Sequence, residues 1–400
     1  MLFKENTLDL IILGGGANGL ATALAAQAAG YRCVVLEKNT IGSGTSSKSS
    51  KILHGGVRYL AQGNLKLVYE ALHERQRFID EYPELCHKLD FVAPSYSWFS
   101  QFFYFAGLTF YNLLAGRRSL GRTRWLSRNA AIARVPSLNA LGLKAAVLYT
   151  DGQFADAELA RAMAAKATRN GAVIHEHCAA IAAKYEADLW QITTQSTTQD
   201  IKQFAAPVVI DATGVWSDET RKTLFASSHP AQPDAIKQHV QISQGTHILV
   251  DAGVLNSVAA IFQSKTRDGR VLFILPYLGQ TLIGTTDTAQ PAPVLDAPTH
   301  TEAEIDFLID EANRILAKPI SRSDIRRIFT GYRPLVNPNS ANSSSGGTAK
   351  TSREHAIFQD LPQFFTVLGG KWTTCHRIGE DVIKTIAKSM PHLRGQSGNK

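Results

Sequence analysis

The feature that most restricts the fold is residues 8–37, which contain a dinucleotide-binding fingerprint. Two short apolar runs, Leu10–Leu13 and Cys33–Leu36, have the composition of buried parallel strands, and the Ala-rich segment between them has that of a helix. The turn after the first run carries three glycines in the spacing G-x-G-x-x-G, namely Gly14, Gly16 and Gly19. Such glycines let the backbone approach a pyrophosphate, and Glu37 at the end of the second run accepts hydrogen bonds from a ribose hydroxyl. The stretch therefore predicts a βαβ unit that binds a dinucleotide.

The composition indicates a globular protein with a basic surface. A chain of 400 residues, 44% of them hydrophobic, suits two or three domains. Its formal charge of +8 favours an anionic substrate, a membrane surface or nucleic acid as partner. The four cysteines form no C-x-x-C motif, so a reducing cytosol is expected and a metal site is not. With no apolar run of spanning length, we expect a cytoplasmic protein, at most peripheral on the inner face of the cytoplasmic membrane.

A polar segment with an adjacent cationic cluster follows the fingerprint. Residues 39–60 read NTIGSGTSSKSSKILHGGVRYL, and their small hydroxyl and glycine residues are too polar for a core. The glycines let the backbone approach a ligand, while Lys51, His54 and Arg58 supply cations and a titratable imidazole. The segment is therefore a candidate binding loop.

Residues 91–125 combine many aromatic side chains with four arginines, Arg117, Arg118, Arg122 and Arg124. Rings at a bilayer interface and cations on anionic headgroups would make this a peripheral membrane contact. The same composition fits a lid that packs on the substrate domain, and the sequence favours neither interpretation. Nucleic-acid binding is less supported, because no recognition module accompanies the charge.

Several further motifs follow in the C-terminal half. Residues 207–216 read PVVIDATGVW, a strand that runs into a second glycine turn. IGTTD, GYRPL and TSREH occupy residues 283–287, 331–335 and 351–355. GGKWTT at residues 369–374 places backbone N–H groups and a lysine before a predicted helix, where negative charge is stabilised.

In this order, GGGANG, TSSKSSKILHGGVRYL, DATG, TTD, GYRPL, TSRE and GGKWTT resemble the motifs of FAD-dependent glycerol-3-phosphate dehydrogenases. That family belongs to the flavoprotein class that includes D-amino-acid oxidase and sarcosine oxidase. The resemblance covers most of residues 8–387, and it is to a short form that lacks the added C-terminal helical domain of the family.

The resemblance implies an α/β chain with a two-dinucleotide-binding-domain FAD fold, in which a Rossmann-like parallel sheet is joined to a mixed β-sheet substrate domain. The expected FAD-binding domain is discontinuous and comprises residues 1–90, 145–225 and 345–390. The expected substrate or cap domain comprises residues 91–144 and 226–344, and a polar tail follows at 391–400.

The resemblance also implies FAD as cofactor and a set of residues that contact it: Gly14, Gly16, Asn18, Gly19, Glu37, Lys38, Thr45, Ser46, Ser47, Ser50, Lys51, Ala179, Ala212, Gly214, Gly370, Lys371, Thr373 and Thr374. The expected reaction oxidises sn-glycerol 3-phosphate to dihydroxyacetone phosphate, with a hydride passing to flavin N5 and a proton to a base. The electron acceptor is left open between a quinone, oxygen and another protein.

Three residues are the candidates for catalysis. His54 is the first choice for the base because an imidazole titrates in the right range, whereas Arg333 would polarise the hydroxyl and Lys371 would lie beside the flavin. The expected substrate-binding residues are Arg58, Tyr59, Arg333 and Arg353, since arginine forks suit phosphate oxygens.

Two other functions stay open at this point. An amine, amino-acid or 2-hydroxy-acid oxidase of the same fold would bind a carboxylate with one arginine, and the number of arginines argues against it. A flavin-binding subunit of a membrane-associated assembly would use residues 91–125 for docking.

Overall fold

The computed structural model describes residues 8–60, 63–226, 237–290, 297–337 and 355–393, and three β-sheets organise it. The strands are, in chain order, β1 Leu10–Leu13, β2 Cys33–Leu36, β3 Ile52–Leu53, β4 Cys86–Ser95, β5 Arg124–Ser127, β6 Ala145–Phe154, β7 Val173–His175, β8 Cys178–Glu186, β9 Leu189–Ser196, β10 Ile201–Ala206, β11 Val208–Asp211, β12 Val240–Asp251, β13 Ala260–Gln263, β14 Leu272–Tyr277, β15 Gln280–Gly284, β16 Thr288–Gln290, β17 Ile325–Val336, β18 His355–Leu361 and β19 Phe364–Gly369. The α-helices are α1 Ala17–Ala28, α2 Val57–Leu60, α3 Leu65–Glu81, α4 Trp98–Ala115, α5 Arg128–Arg134, α6 Asp156–Arg169, α7 Ser217–Phe225, α8 Glu302–Asn313 and α9 Cys375–Ser389.

The first sheet contains the predicted dinucleotide-binding unit. Its strand order is β18-β19-β11-β1-β2-β7, with all strands parallel except the edge strand β18. Leu10 and Ile12 of β1 pack with α1 and α9 on one face, whereas Ile11 and Leu13 pack with α7 and the three-stranded sheet β10-β9-β8 on the other. The predicted α/β fold with a Rossmann-like parallel sheet is confirmed.

The largest sheet is mixed and has ten strands. Its order is β16-β12-β15-β14-β13-β4-β6-β3, with β17 paired to β12 and β5 paired to β6. One face packs against α5 and α8, and the opposite face packs against the inner side of α4. The predicted mixed sheet is therefore present beside the parallel one.

The domain boundaries stay a prediction, and the strand pairing refines one of them. Strand β6, expected in the FAD-binding part, pairs with β4 from Cys86↔Phe154 to Ser95↔Ala145 inside the mixed sheet. The segment 145–154 is thus joined to the mixed sheet by its hydrogen bonds. The boundary between residues 344 and 345 lies outside the described residues.

Substitution of Gly19 by alanine is expected to destabilise the protein. A Cβ atom at Gly19 would lie 2.0 Å from the Gly14 carbonyl oxygen, so α1 would have to move away from the turn that precedes it. We expect Gly19→Ala to lower the free energy of unfolding by about 1–3 kcal/mol in urea denaturation.

Gly107 provides the matched control. It lies inside α4, and a Cβ atom there would meet nothing within 4 Å. Gly107→Ala is expected to raise the free energy of unfolding by about 0.5–1 kcal/mol, because alanine loses less backbone entropy in a helix. Equal effects of the two substitutions would refute the packing argument.

Candidate functional site

A cavity of about 2010 Å³ is lined by loops of the parallel sheet and by strands of the mixed sheet. Pockets for small ligands usually measure about 300–1,000 Å³, so this one has room for a dinucleotide together with a second, smaller molecule. Most of the predicted site residues line it: Gly14, Gly16, Asn18, Glu37, Lys38, Thr45, Ser46, Ser50, His54, Ala179, Ala212, Gly214, Arg333, Gly370, Lys371 and Thr373.

The first glycine turn packs directly against the second. Gly14 has a φ of 98°, and a Cβ atom there would lie 2.7 Å from the Ala212 carbonyl oxygen. Ala212 N–H in turn donates to the Leu13 carbonyl at 2.9 Å. Only glycine at position 14 allows this approach, and the bare backbone at this point forms part of the cavity wall.

The carboxylate of Glu37 closes the first turn. Gly15 N–H donates to Glu37 Oε2 at 2.6 Å, and Asn39 N–H donates to Oε1 at 2.8 Å. Each oxygen keeps a further lone pair, so the carboxylate is fixed in place and still able to accept a hydrogen bond from a ribose hydroxyl.

The N-terminus of α1 opens onto the cavity and is held by the hydroxyl-rich loop. Ala17 N–H donates to Ser46 Oγ at 2.9 Å, and the Trp372 indole N–H donates to the Ser46 carbonyl at 2.8 Å. Asn18 Nδ2 donates to the Gly369 carbonyl at 3.2 Å. The first glycine turn, the serine loop and the GGKWTT turn are therefore joined around one helix end, where negative charge is stabilised.

Arg333 supplies a fixed cation to the mixed-sheet side of the cavity. Its Nη1 donates to Ser243 Oγ at 3.3 Å and the Gln244 carbonyl at 3.2 Å, and its Nη2 donates to Thr285 Oγ1 at 2.8 Å and the Thr286 carbonyl at 3.0 Å. Asp287 lies 3.6 Å from Nη1. The guanidinium passes over Gly245, where a Cβ atom would lie 2.1 Å from Nη2, so this glycine makes room for it.

Three histidines line the same cavity, His54, His247 and His355, and only His54 was predicted as a site residue. His54 is half-buried at the end of β3. His247 on β12 is buried, stacks on the Phe329 ring at 4.7 Å and places Nε2 2.9 Å from Ser50 Oγ. Burial first, and then the charges of Arg333 and Lys51, hold the pKa of His247 well below its ordinary value. In the sequence, His247 is a lone histidine inside an apolar strand and belongs to no recognisable motif.

The structure places Lys51, a predicted cofactor contact, in a buried ion pair. Its ammonium does not line the cavity but donates to both carboxylate oxygens of Asp156 at 2.7 Å and to the Ser47 carbonyl at 2.9 Å. Asp156 also accepts from Ser49 N–H at 3.0 Å. Because this pair is buried, Lys51 holds the serine loop in place through charge that Asp156 balances. A cofactor contact at Lys51 stays a prediction.

The other predicted residues divide into two groups. Gly19, Ser47 and Thr374 lie outside the cavity lining, and Gly19 serves the packing of α1 on the first turn. The backbone of Arg58 and Tyr59 lies in α2, but their side chains and the whole of Arg353 lie outside the described residues.

Within the part of the chain that the structure describes, no group of three or more His, Cys, Asp or Glu side chains is arranged to hold a metal ion.

The cavity fits the flavin dinucleotide that the motifs imply. Bare backbone at Gly14, the fixed Glu37 carboxylate and the open N-terminus of α1 are the elements that a pyrophosphate and its ribose require. Gly369 and Gly370, with φ of 76° and 77°, turn the chain so that Lys371 reaches the same cavity. These residues lie together although they are far apart in the sequence.

Comparison with known proteins agrees with this geometry. Residues 9–381 match the model of a family described as FAD dependent oxidoreductase. A mitochondrial glycerol-3-phosphate dehydrogenase of Arabidopsis thaliana is 34% identical over 401 residues, covering 96% of this chain and 61% of its own length. The chain thus spans less than two thirds of that relative.

Two solved structures share the fold. The glycerol-3-phosphate dehydrogenase from Bacillus halodurans, complexed with FAD, superposes with a TM-score of 0.75 at 23% identity and covers 97% of this chain and 66% of its own. The FAD-bound L-alpha-glycerophosphate oxidase from Mycoplasma pneumoniae superposes with a TM-score of 0.71 at 17% identity, covering 95% of this chain and 94% of its own.

Removal of the Lys51 charge is expected to destabilise the fold. Lys51→Met leaves the Asp156 carboxylate buried without its counter-charge, which costs about 3–5 kcal/mol of unfolding free energy. The double variant Lys51→Met/Asp156→Asn removes both charges and keeps an acceptor for Ser49, so we expect it to recover about 1–2 kcal/mol. Urea unfolding of the three proteins measures both effects. If Lys51→Met keeps its stability and loses FAD, then Lys51 binds the cofactor as predicted from the sequence.

Proposed function

The chain belongs to the family of FAD-dependent oxidoreductases, and from this premise we propose that it oxidises sn-glycerol 3-phosphate to dihydroxyacetone phosphate. The names of its relatives support this substrate, since they are glycerol-3-phosphate dehydrogenases. The observation that carries the proposal is that the two glycine turns share one cavity with the fixed Arg333 and the imidazoles of His54 and His247.

FAD, when bound, supplies the acceptor for the hydride that leaves the substrate carbon. The Gly14 turn, the N-terminus of α1 and Glu37 would hold its pyrophosphate and ribose, and Ala179 would contact the adenine side. The turn at residues 369–374 would lie beside the flavin ring, with the Lys371 ammonium favouring negative charge there.

Arg333 is the proposed anchor of the substrate phosphate. Four protein acceptors hold its guanidinium, so its position is set before any ligand arrives and no rearrangement is needed to use its charge. Asp287 at 3.6 Å offsets part of the charge, which leaves a role for the additional cations Arg58 and Arg353 that the motifs predict.

His247 is the proposed base that accepts the proton of the substrate hydroxyl. Its depressed pKa keeps the ring uncharged, and an uncharged imidazole can accept a proton. The charge of Arg333, the proposed phosphate anchor, contributes to the low pKa of His247, so the proposed base and the proposed anchor are neighbours. His54, the base predicted from the sequence, lines the same cavity and stays the second candidate.

Flavin reduction tests the substrate assignment. Glycerol 3-phosphate, mixed anaerobically with the purified flavoprotein, is expected to bleach the flavin absorbance. Arg333→Ala should lower kcat/KM for this reduction by about 10–100-fold, because an interaction of a phosphate with a charged partner contributes about 1.5–3 kcal/mol. Arg326, which lies exposed on the same strand and pairs with Asp251, is the matched control and should tolerate alanine. Bleaching by an amino acid instead of glycerol 3-phosphate would overturn the substrate assignment.

The pH dependence of flavin reduction at saturating substrate tests the base. Since the pKa of His247 is depressed, the ring stays uncharged as the pH falls through the ordinary histidine pKa, so the rate should stay constant from about pH 8 through about pH 6.5. A base with the ordinary histidine pKa would be half protonated at about pH 6.5, and the rate of flavin reduction would be halved there. His247→Asn should lower the rate by about 100-fold or more. A larger loss in His54→Asn would transfer the role to His54.

Helix α4 is the proposed membrane contact. Its 18 residues carry no charge, and its outer face exposes rings such as Phe99, which is 83% exposed, and Phe102, which is 63% exposed. Arg117 and Arg118 follow at its C-terminal end and are exposed. None of residues 98–115 lines the cavity, which weighs against a lid.

We propose a quinone in the bilayer as the electron acceptor, because a membrane contact through α4 would bring the protein close to it. Such a contact would be peripheral. Among the residues that the structure describes, no helix combines the length and the apolar character needed to cross a membrane.

Vesicle binding tests the membrane contact. Phe99→Ser/Phe102→Ser should weaken sedimentation with phosphatidylglycerol vesicles by about tenfold or more, because each ring buried in the interface contributes on the order of 1.5 kcal/mol. Ile201, which is 56% exposed on the three-stranded sheet, provides the control Ile201→Ser, which should bind as the wild type does. Binding that is the same for both variants would exclude α4 as the contact.

A further inference from the structure

A chain of buried hydrogen bonds ends on the backbone of the cavity wall. Gly55 N–H donates to Tyr111 Oη at 2.7 Å, and the Tyr111 hydroxyl donates to Asp151 Oδ2 at 2.8 Å. Arg75 donates from Nη1 to the other oxygen of Asp151 at 2.7 Å. The three side chains are buried, so solvent does not compete for these bonds.

The chain joins elements that are far apart in the sequence. Arg75 lies on α3, Tyr111 on α4 and Asp151 on β6. The second guanidinium nitrogen of Arg75 donates to the Arg118 carbonyl at 3.0 Å, in the turn that follows α4. The position of α4 is thereby linked to the segment that follows β3.

The segment fits tightly around the tyrosine hydroxyl. A Cβ atom at Gly55 would lie 2.5 Å from Tyr111 Oη and 2.5 Å from Leu72 Cδ2, so position 55 excludes any side chain. On either side of it, His54, Gly56 and Val57 line the cavity. Without the hydroxyl, the buried Gly55 amide would lose its acceptor, and buried amides are nearly always paired in native structures.

We propose that Tyr111 is a positioning residue whose hydroxyl fixes the Gly55 amide and thereby the wall formed by residues 54–57, with Asp151 and Arg75 orienting the hydroxyl. We call the hydrogen-bonded link from Asp151 through Tyr111 to Gly55 the clamp. The clamp does not depend on the proposed function of the cavity, whereas its effect on turnover does. Tyr111 touches neither substrate nor cofactor in this proposal and acts through His54 and its neighbours.

Hydrogen–deuterium exchange tests the clamp without any substrate. In the FAD-loaded protein, Tyr111→Phe keeps the ring and removes the hydroxyl, so peptides that cover residues 52–57 should exchange about tenfold faster than in the wild type. Tyr82 is the matched control, because it is buried and its hydroxyl has no hydrogen-bond partner among the described residues. Tyr82→Phe should leave this exchange unchanged. Wild-type exchange in Tyr111→Phe overturns the proposal.

A second variant covers the case in which Tyr111→Phe fails to fold. Asp151→Asn keeps an acceptor for the tyrosine and loses the charge that faces Arg75, so exchange at residues 52–57 should increase by a smaller factor. Exchange as slow as in the wild type in this variant also counts against the clamp.

Turnover separates positioning from a general structural role. In Tyr111→Phe, the rate of flavin reduction by saturating glycerol 3-phosphate should fall about tenfold while the dissociation constant of FAD changes by less than about twofold. Equal losses in rate and FAD affinity, or faster exchange with an unchanged rate, would overturn the positioning role. If glycerol 3-phosphate does not reduce the wild-type flavin, the substrate assignment fails. The exchange measurement alone then shows whether Tyr111 fixes residues 54–57.

Discussion

The contact between two backbone turns, at Gly14 and at Ala212, determines where a ligand can lie. β1 and β11 are parallel neighbours, so both turns leave the sheet at the same edge. β2 ends beside them at Glu37, and β19 ends beside β11 at the Gly369–Gly370 turn. Four motifs from three distant parts of the chain therefore meet at the carboxyl edge of one parallel sheet, which is where open α/β sheets bind their ligands.

Local patterns were sufficient to predict this part of the fold. The apolar run of β1, the glycine spacing and the acid that ends β2 are each readable within a few residues, and the parallel register follows once they are recognised as one unit. Gly14, Glu37 and Lys371 all line the cavity because each is fixed by the turn in which it lies, and their contacts with the cofactor stay a prediction.

The buried ion pairs in and around the cavity wall were not predictable in the same way. Lys51 and Asp156 are 105 residues apart, and Arg75 and Asp151 are 76 residues apart, so no local pattern connects them. A lysine in a serine-rich loop is typical of a ligand contact, but the Lys51 ammonium pairs with the buried Asp156 carboxylate on α6. The role of His247 was not predictable for a related reason, since a single histidine in a strand that pairs on both sides has no sequence signature.

The position of α1 between α6 and α9 has a consequence for how the chain folds during synthesis. The apolar face of α1 packs on Ile378, Val382 and Ile386 of α9, and β19 must pair with β11 before the sheet is complete. Helix α1, whose N-terminus opens onto the cavity, thus emerges from the ribosome hundreds of residues before the helix that covers it. Because contacts of such sequence separation form slowly, the nascent chain exposes this surface throughout synthesis, and the ligand-binding edge is assembled only after almost all of residues 8–386 have been made.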